Sequence, residues 1–275
     1  VDDQDDDGDL LEEEEDDDTD DDATATIRSF GGEAAVHVDA AAGVNIVLGT
    51  VTGAYAPTTG NWGFVNRGTI SGLGTYEGFT GTGLRLDAIF GSSSIDTGDG
   101  IYNDGLITGS SVEADAYGLY VGNAVSAPTI TNTNSITAIS VGEDPADAYA
   151  IYIAENADVT TINNDRQIRA QFNGAAGNAT AIYDASNLNS ITAINNTGEI
   201  SAAAFATTVG ETATGYGRAI DLSLATQGVI ITQSENADED VVEIISGDVL
   251  LGSGADQIQL LAGRMDSDVS FGDGL

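Results

Sequence analysis

The 275-residue chain has no cysteine and no lysine, and only three prolines, one tryptophan, one histidine and one methionine. Without cysteine there is no disulfide framework, no thiolate zinc site and no thiol nucleophile. No run approaches the roughly 18 apolar residues of a membrane-spanning helix. Positive charge is scarce: seven arginines (Arg28, Arg67, Arg85, Arg166, Arg169, Arg218 and Arg264) face 45 acidic residues, for a formal net charge of −38. Such a chain repels phosphate backbones and anionic headgroups, which sets nucleic acids and electrostatic membrane binding aside, and it attracts divalent cations or basic surfaces. It starts at Val1, as expected of a mature secreted product whose leader is gone or of a trimmed chain.

What is present is small and β-branched. Hydrophobic residues make up 41% of the chain, aromatics only 6%, and there are 35 glycines. This favours many short strands joined by turns over long helices. Three regions separate by composition. Residues 1–22 are an acidic block with 16 Asp or Glu. Residues 23–232 are a repetitive body. Residues 233–275 carry a shorter repeat.

Two segments recur in the body. The first reads apolar-x-Asn-x-Gly-x-Ile, as in Phe64-Val65-Asn66-Arg67-Gly68-Thr69-Ile70 and Ile194-Asn195-Asn196-Thr197-Gly198-Glu199-Ile200. Its key residue falls at Asn66, Asn103, Asn132, Asn164 and Asn196, in steps of 37, 29, 32 and 32. The second is a small-residue strand: Ala116-Tyr117-Gly118-Leu119-Tyr120-Val121, Ala148-Tyr149-Ala150-Ile151-Tyr152-Ile153 and Ala179-Thr180-Ala181-Ile182-Tyr183-Asp184. Two segments sharing one period predict coils of about 32 residues. Inside a coil the apolar period is two, so Ile151 and Ile153 share a face and Tyr152 takes the other. Such a strand buries its face only when the next coil stacks about 4.8 Å above it. The variable steps then correspond to loops such as 142–145 and 174–177, leaving at one corner. Near the C-terminus, Gly247-Asp248-Val249-Leu250 recurs 20 positions later as Ser267-Asp268-Val269-Ser270, which predicts leaner coils.

The Asn-x-Gly-x-Ile coils, with Gly247-Asp248-Val249-Leu250-Leu251-Gly252-Ser253-Gly254-Ala255-Asp256, resemble the passenger region of a Gram-negative autotransporter over roughly residues 27–275. The resemblance implies an all-β fold, a right-handed parallel β-helix exported to the cell surface; the acidic block of residues 1–22 is an N-terminal extension that lies outside the resemblance. The resemblance also implies roles in adhesion, aggregation or biofilm.

Candidate sites follow from the same residues. Asp3, Asp5, Asp7, Asp9 and Glu14, with Gly8 at the turn, satisfy the spacing of a calcium loop, in which alternate carboxylates fold around one hard cation. A solvated or partner-binding acidic tail is the competing reading. Gly252-Ser253-Gly254-Ala255-Asp256-Gln257-Ile258 matches a calcium β-roll turn, but at a spacing of 20 it reads more simply as a tight turn between coils. The five asparagines suggest a hydrogen-bonded ladder at one corner rather than a ligand site. Tyr120, Tyr152 and Tyr183 fall in register on the outer face, where they could bind sugar, pack on another chain or stack on one another. His37 sits in a strand with no nucleophile in an elbow-like context. Asp184 and Asp221, with Asp87 as a looser analogue, are the only carboxylates that suggest glycoside hydrolysis.

The sequence therefore points to a secreted, non-enzymatic structural protein: a solenoid subunit that assembles head-to-tail into a cell-surface filament or matrix, with Ca²⁺ as a possible aid. A head-to-tail contact of this kind does not close and so propagates. The alternatives are a monomeric adhesin for glycans or cell surfaces and a polysaccharide-degrading β-helix enzyme.

Overall fold

The computed structural model describes residues 25–54, 56–186, 191–207 and 212–274. Among them every regular element is a β-strand, and the strands of each sheet pair in parallel. The chain winds through three long sheets in turn. One coil consists of Ser135–Gly142 in sheet 1, Asp147–Ile153 in sheet 2 and Thr161–Asn164 in sheet 3. The next repeats the path with Gln167–Gly174, Asn178–Asp184 and Ala193–Asn196. Sheets 1 and 2 hold eight strands each and sheet 3 holds seven. A three-stranded sheet of Asn45–Val47, Ser94–Asp96 and Val125–Ser126 adds a fourth side between sheets 2 and 3. This is a β-solenoid, and no single strand in it could bury its apolar face alone.

The core is a set of aliphatic columns running along the axis. Ile70, Ile107, Ile136, Ile168, Ile200 and Ile245 stack in sheet 1. Ile101, Ile130, Ile162, Ile194 and Ile231 stack in sheet 3, and Leu84, Leu119, Ile151, Ile182, Ile220 and Val249 in sheet 2. All are buried. Each contributes about 1.5–3 kcal/mol against remaining exposed, and the parallel register sets every one on its counterpart.

Coil length varies more than the asparagine steps suggest. Ser135 pairs with Gln167 and Gln167 with Glu199, steps of 32. Thr26 pairs with Thr69, a step of 43, and Glu199 with Ile244, a step of 45. The extra residues do not leave at one corner. Residues 143–146 and 175–177 lie between sheets 1 and 2, residues 48–54 and 56–63 between the short sheet and sheet 3, and residues 234–243 between sheets 3 and 1. Any corner can carry an insertion, because a loop that stays outside the stack leaves the pairing on either side of it intact. The lean extreme lies near the C-terminus. Ile244 pairs with Arg264 and Val249 with Val269, both steps of 20. There the strands Ile244–Ser246 and Asp248–Leu250 are joined by Gly247 alone, at φ +114°, a conformation only glycine adopts without strain.

The columns predict a sharp contrast between faces. Ile151→Ala should lower stability by about 2–5 kcal/mol. Ile139→Ala, on the outer face of sheet 1, should change it by about 0.5 kcal/mol or less. Chemical denaturation of both variants checks the difference.

Candidate functional site

The corner between sheets 3 and 1 is built from amides. Each sheet 3 strand from Phe64–Asn66 to Ala193–Asn196 ends on an asparagine that is buried inside the turn. Its Nδ2 donates to Oδ1 of the asparagine one coil on. The distances are 2.7 Å from Asn66 to Asn103, 2.7 Å from Asn103 to Asn132, 2.8 Å from Asn132 to Asn164 and 2.7 Å from Asn164 to Asn196. The same amides hold the turn backbone: Asn103 Nδ2 also donates to the Gly105 carbonyl at 2.8 Å and to that of Ser135 at 3.2 Å. With donors and acceptors engaged along the axis, this corner offers a ligand little. Removing one amide would leave its neighbours unsatisfied, at a cost of about 1–3 kcal/mol per buried group.

The series does not stop at Asn196, whose Nδ2 donates to Gln233 Oε1 at 3.0 Å. Gln233 Nε2 reaches the carbonyls of Glu243 at 3.1 Å and Arg264 at 2.8 Å. The longer side chain spans the enlarged corner at residues 234–243. Its sequence signal is present in Ile231-Thr232-Gln233, which keeps the apolar-x-amide order of Ile194-Asn195-Asn196.

Sheet 2 carries tyrosines on its outer face, in two columns rather than one. Tyr120 and Tyr152 stack with ring centroids 5.0 Å apart and planes 6° apart, and Tyr183 follows at 5.3 Å, tilted by 38°. Beside them Tyr117 and Tyr149 stack at 5.4 Å and 11°. Edge contacts join the columns: Tyr117 to Tyr120 at 5.4 Å and Tyr149 to Tyr152 at 5.3 Å. Strict alternation would put residues 117 and 120 on opposite faces. The strand breaks that alternation with two consecutive buried residues, Gly118-Leu119 in one coil and Ala150-Ile151 in the next, so both tyrosines emerge outward. The Arg85 guanidinium lies over the Tyr120 ring at 4.6 Å, and that of Arg218 over Tyr216 at 3.7 Å. The ring faces are therefore largely occupied by one another and by arginine, leaving mainly edges and hydroxyls towards solvent. The Tyr117 hydroxyl donates to Asp115 Oδ2 at 3.2 Å and that of Tyr149 to Asp147 Oδ2 at 3.0 Å. Burial, reinforced by those carboxylates, pushes both phenols well above the usual tyrosine range.

A cleft of about 560 Å³ opens beside the Tyr120–Tyr152 column, lined by those two residues, Asn123, Glu155, Leu224 and Thr226 among others. A smaller one of about 330 Å³ lies between Glu33, His37, Thr82, Arg85 and the first tyrosines. His37 is exposed there, in register with Arg85.

The acidic candidates separate. Asp184 pairs with Ile153 and points inward, into the column begun by Leu86 and Val121. Asp221 pairs with Tyr183 on the outer face, where its carboxylate meets Arg218 at 2.7 Å and the Ser223 hydroxyl at 2.7 Å. The two carboxylates thus belong to opposite sides of the sheet. Asp87 sits three coils from Asp184 and meets Arg85 at 2.6 Å. In the β-roll-like turn, Asp256 Oδ1 accepts the Val229 backbone N–H at 2.9 Å, tying that turn to the preceding coil. Among the described residues no group of three or more His, Cys, Asp or Glu is placed to hold a metal ion. Asp3, Asp5, Asp7, Asp9 and Glu14 lie outside the described residues.

No family model matches the chain, and no curated protein or solved structure does so either. Fold and side chains carry the functional argument alone.

Asp184 provides a pH test. Burial raises its pKa to about 6, against the pull of two backbone donors, Ser186 N at 2.8 Å and Ile191 N at 2.9 Å. A carboxyl whose folded pKa exceeds its unfolded value takes up protons on folding between the two. Its stability contribution is therefore fully present below the unfolded value, near 3.8, and is lost as pH rises to about 6. The size is on the order of 3 kcal/mol. Denaturation of the wild type and Asp184→Asn from pH 4 to 7 should show the wild type losing stability relative to the variant as pH rises. Parallel curves would remove the burial account.

Proposed function

We propose that this chain is a structural protein: a secreted, right-handed parallel β-helix that serves as a rigid rod at a cell surface or in an extracellular matrix, and that associates end to end with further copies. The observation supporting this reading is the axial order of the side chains. Amides donate to amides, rings stack on rings and aliphatics cover aliphatics along the same direction. Seven inter-coil steps of about 4.8 Å give a rod of roughly 35 Å. The core columns also run out to its ends. Ile27 and Val269 stand in core columns of the outermost described coils, yet they are 49% and 37% exposed. Parallel strand edges of such a stack are ready templates for pairing with another coil. Calcium held by Asp3, Asp5, Asp7, Asp9 and Glu14 belongs to the same proposal as an aid to assembly.

A second reading, an adhesin for glycans, is favoured by the cleft beside Tyr120 and Tyr152, which mixes aromatic edges with Asn123, Glu155 and Thr226. One experiment separates the two. Negative-stain micrographs at rising protein concentration, with and without Ca²⁺, should show filaments of uniform width many times longer than one rod. Isolated short rods under all conditions, together with saturable glycan binding weakened by Tyr152→Ala, would replace the first reading with the second.

A further inference from the structure

The tyrosine columns have more order than a solvent-facing strip needs. Tyr117, Tyr120, Tyr149 and Tyr152 form a closed set of contacts between two consecutive coils, with every neighbouring pair of rings within 5.6 Å. All four are half-buried, with part of each ring exposed. Two of the four phenols donate to a carboxylate of their own coil, Asp115 or Asp147. The chain holds nine tyrosines against no cysteine, one methionine and one tryptophan, so tyrosine is its main stock of oxidisable side chains.

We propose that this double column is an oxidative coupling site, at which a tyrosine of one coil joins covalently to its in-register partner on the next, Tyr117 to Tyr149 or Tyr120 to Tyr152. The oxidant is hydrogen peroxide used by a haem peroxidase. Each phenol loses one electron and one proton to become a neutral phenoxyl radical. At Tyr117 and Tyr149 the positioned carboxylate accepts that proton as the electron leaves, which avoids a charged radical intermediate. Contacts of 5.0–5.6 Å between the rings let the radical site migrate within the set. Two radicals on stacked rings then form a bond between the carbons ortho to oxygen. The two ortho hydrogens move to the oxygens and restore both phenols. In sum the protein loses two hydrogen atoms and gains one carbon–carbon bond, while the peroxide takes up two electrons and two protons and leaves as two waters. Holding the partners one coil apart makes the coupling intramolecular, with the effective concentration that such proximity confers. The product would clamp adjacent coils to each other from outside the core. This proposal does not depend on end-to-end assembly, because the bond forms within one molecule.

The test uses the full chain at low concentration, treated with a haem peroxidase and peroxide. The monomer should develop dityrosine fluorescence and lose the mass of two hydrogens. Cleavage before aspartate should then yield the peptide starting at Asp115 bonded to the one starting at Asp147. The monomeric Asp115→Asn/Asp147→Asn variant should develop dityrosine fluorescence several-fold more slowly, and an unchanged rate would remove the carboxylates from the proposal. If the monomer lacks the link, and dityrosine appears only between molecules through exposed Tyr76, the proposal is overturned.

Discussion

Parallel in-register stacking, one coil on the next, is the constraint from which the rest of this protein follows. A strand such as Asp147–Ile153 has no stable fold of its own, since its apolar side needs a partner coil and its backbone needs neighbours on both edges. Register then dictates composition. Whatever occupies a position in one coil faces its counterpart about 4.8 Å away in the next, so compatible residues accumulate in columns. Isoleucine on isoleucine fills the core. Asparagine on asparagine satisfies a buried turn that would otherwise leave polar groups unpaired. Tyrosine on tyrosine covers the outside of sheet 2 in the same way.

The columns also account for how the solenoid tolerates irregularity. Insertions at three different corners change a coil from a 20-residue to a 45-residue step, yet the flanking strands stay paired in parallel, with a one-residue register shift between Arg218 and Ile220 where sheet 2 meets the lean coil. Where a column changes identity, a local device compensates. Gln233 replaces asparagine and uses its extra length to bridge a larger corner. Asp184 replaces an aliphatic residue in the core and binds the backbone of the loop that follows. In the lean coil near the C-terminus, Gly247 alone turns the chain from sheet 1 to sheet 2.

The sequence makes the parallel solenoid legible because its signal is periodic. The steps between Asn66, Asn103, Asn132, Asn164 and Asn196 are the register steps of sheet 3. Other features are hidden for physical reasons. Two-residue alternation places Tyr117 and Tyr149 opposite Tyr120 and Tyr152, and only the paired buried residues between them reveal a second column. Gln233 is masked by its different side chain and by the 37-residue step from Asn196. The same alternation rule places Asp184 and Asp221 at related positions after their strands, yet a one-residue difference in register sends them to opposite faces. Loop placement is not readable from repeat length, since a long step does not say at which corner the extra residues leave.

Register is the central claim, and a chain without cysteine allows it to be measured on a clean background. Thr137 and Arg169 are register partners on the outer face of sheet 1, whereas Gln171 is two residues further along the same strand as Arg169. Adjacent parallel strands hold partners about 4.8 Å apart, inside the Cα range a disulfide accepts, and the two-residue offset lies outside it. On mild oxidation the Thr137→Cys/Arg169→Cys variant should close an intramolecular disulfide, and Thr137→Cys/Gln171→Cys should not. Rapid closure of the offset pair with failure of the in-register pair would contradict the stacking on which every column depends.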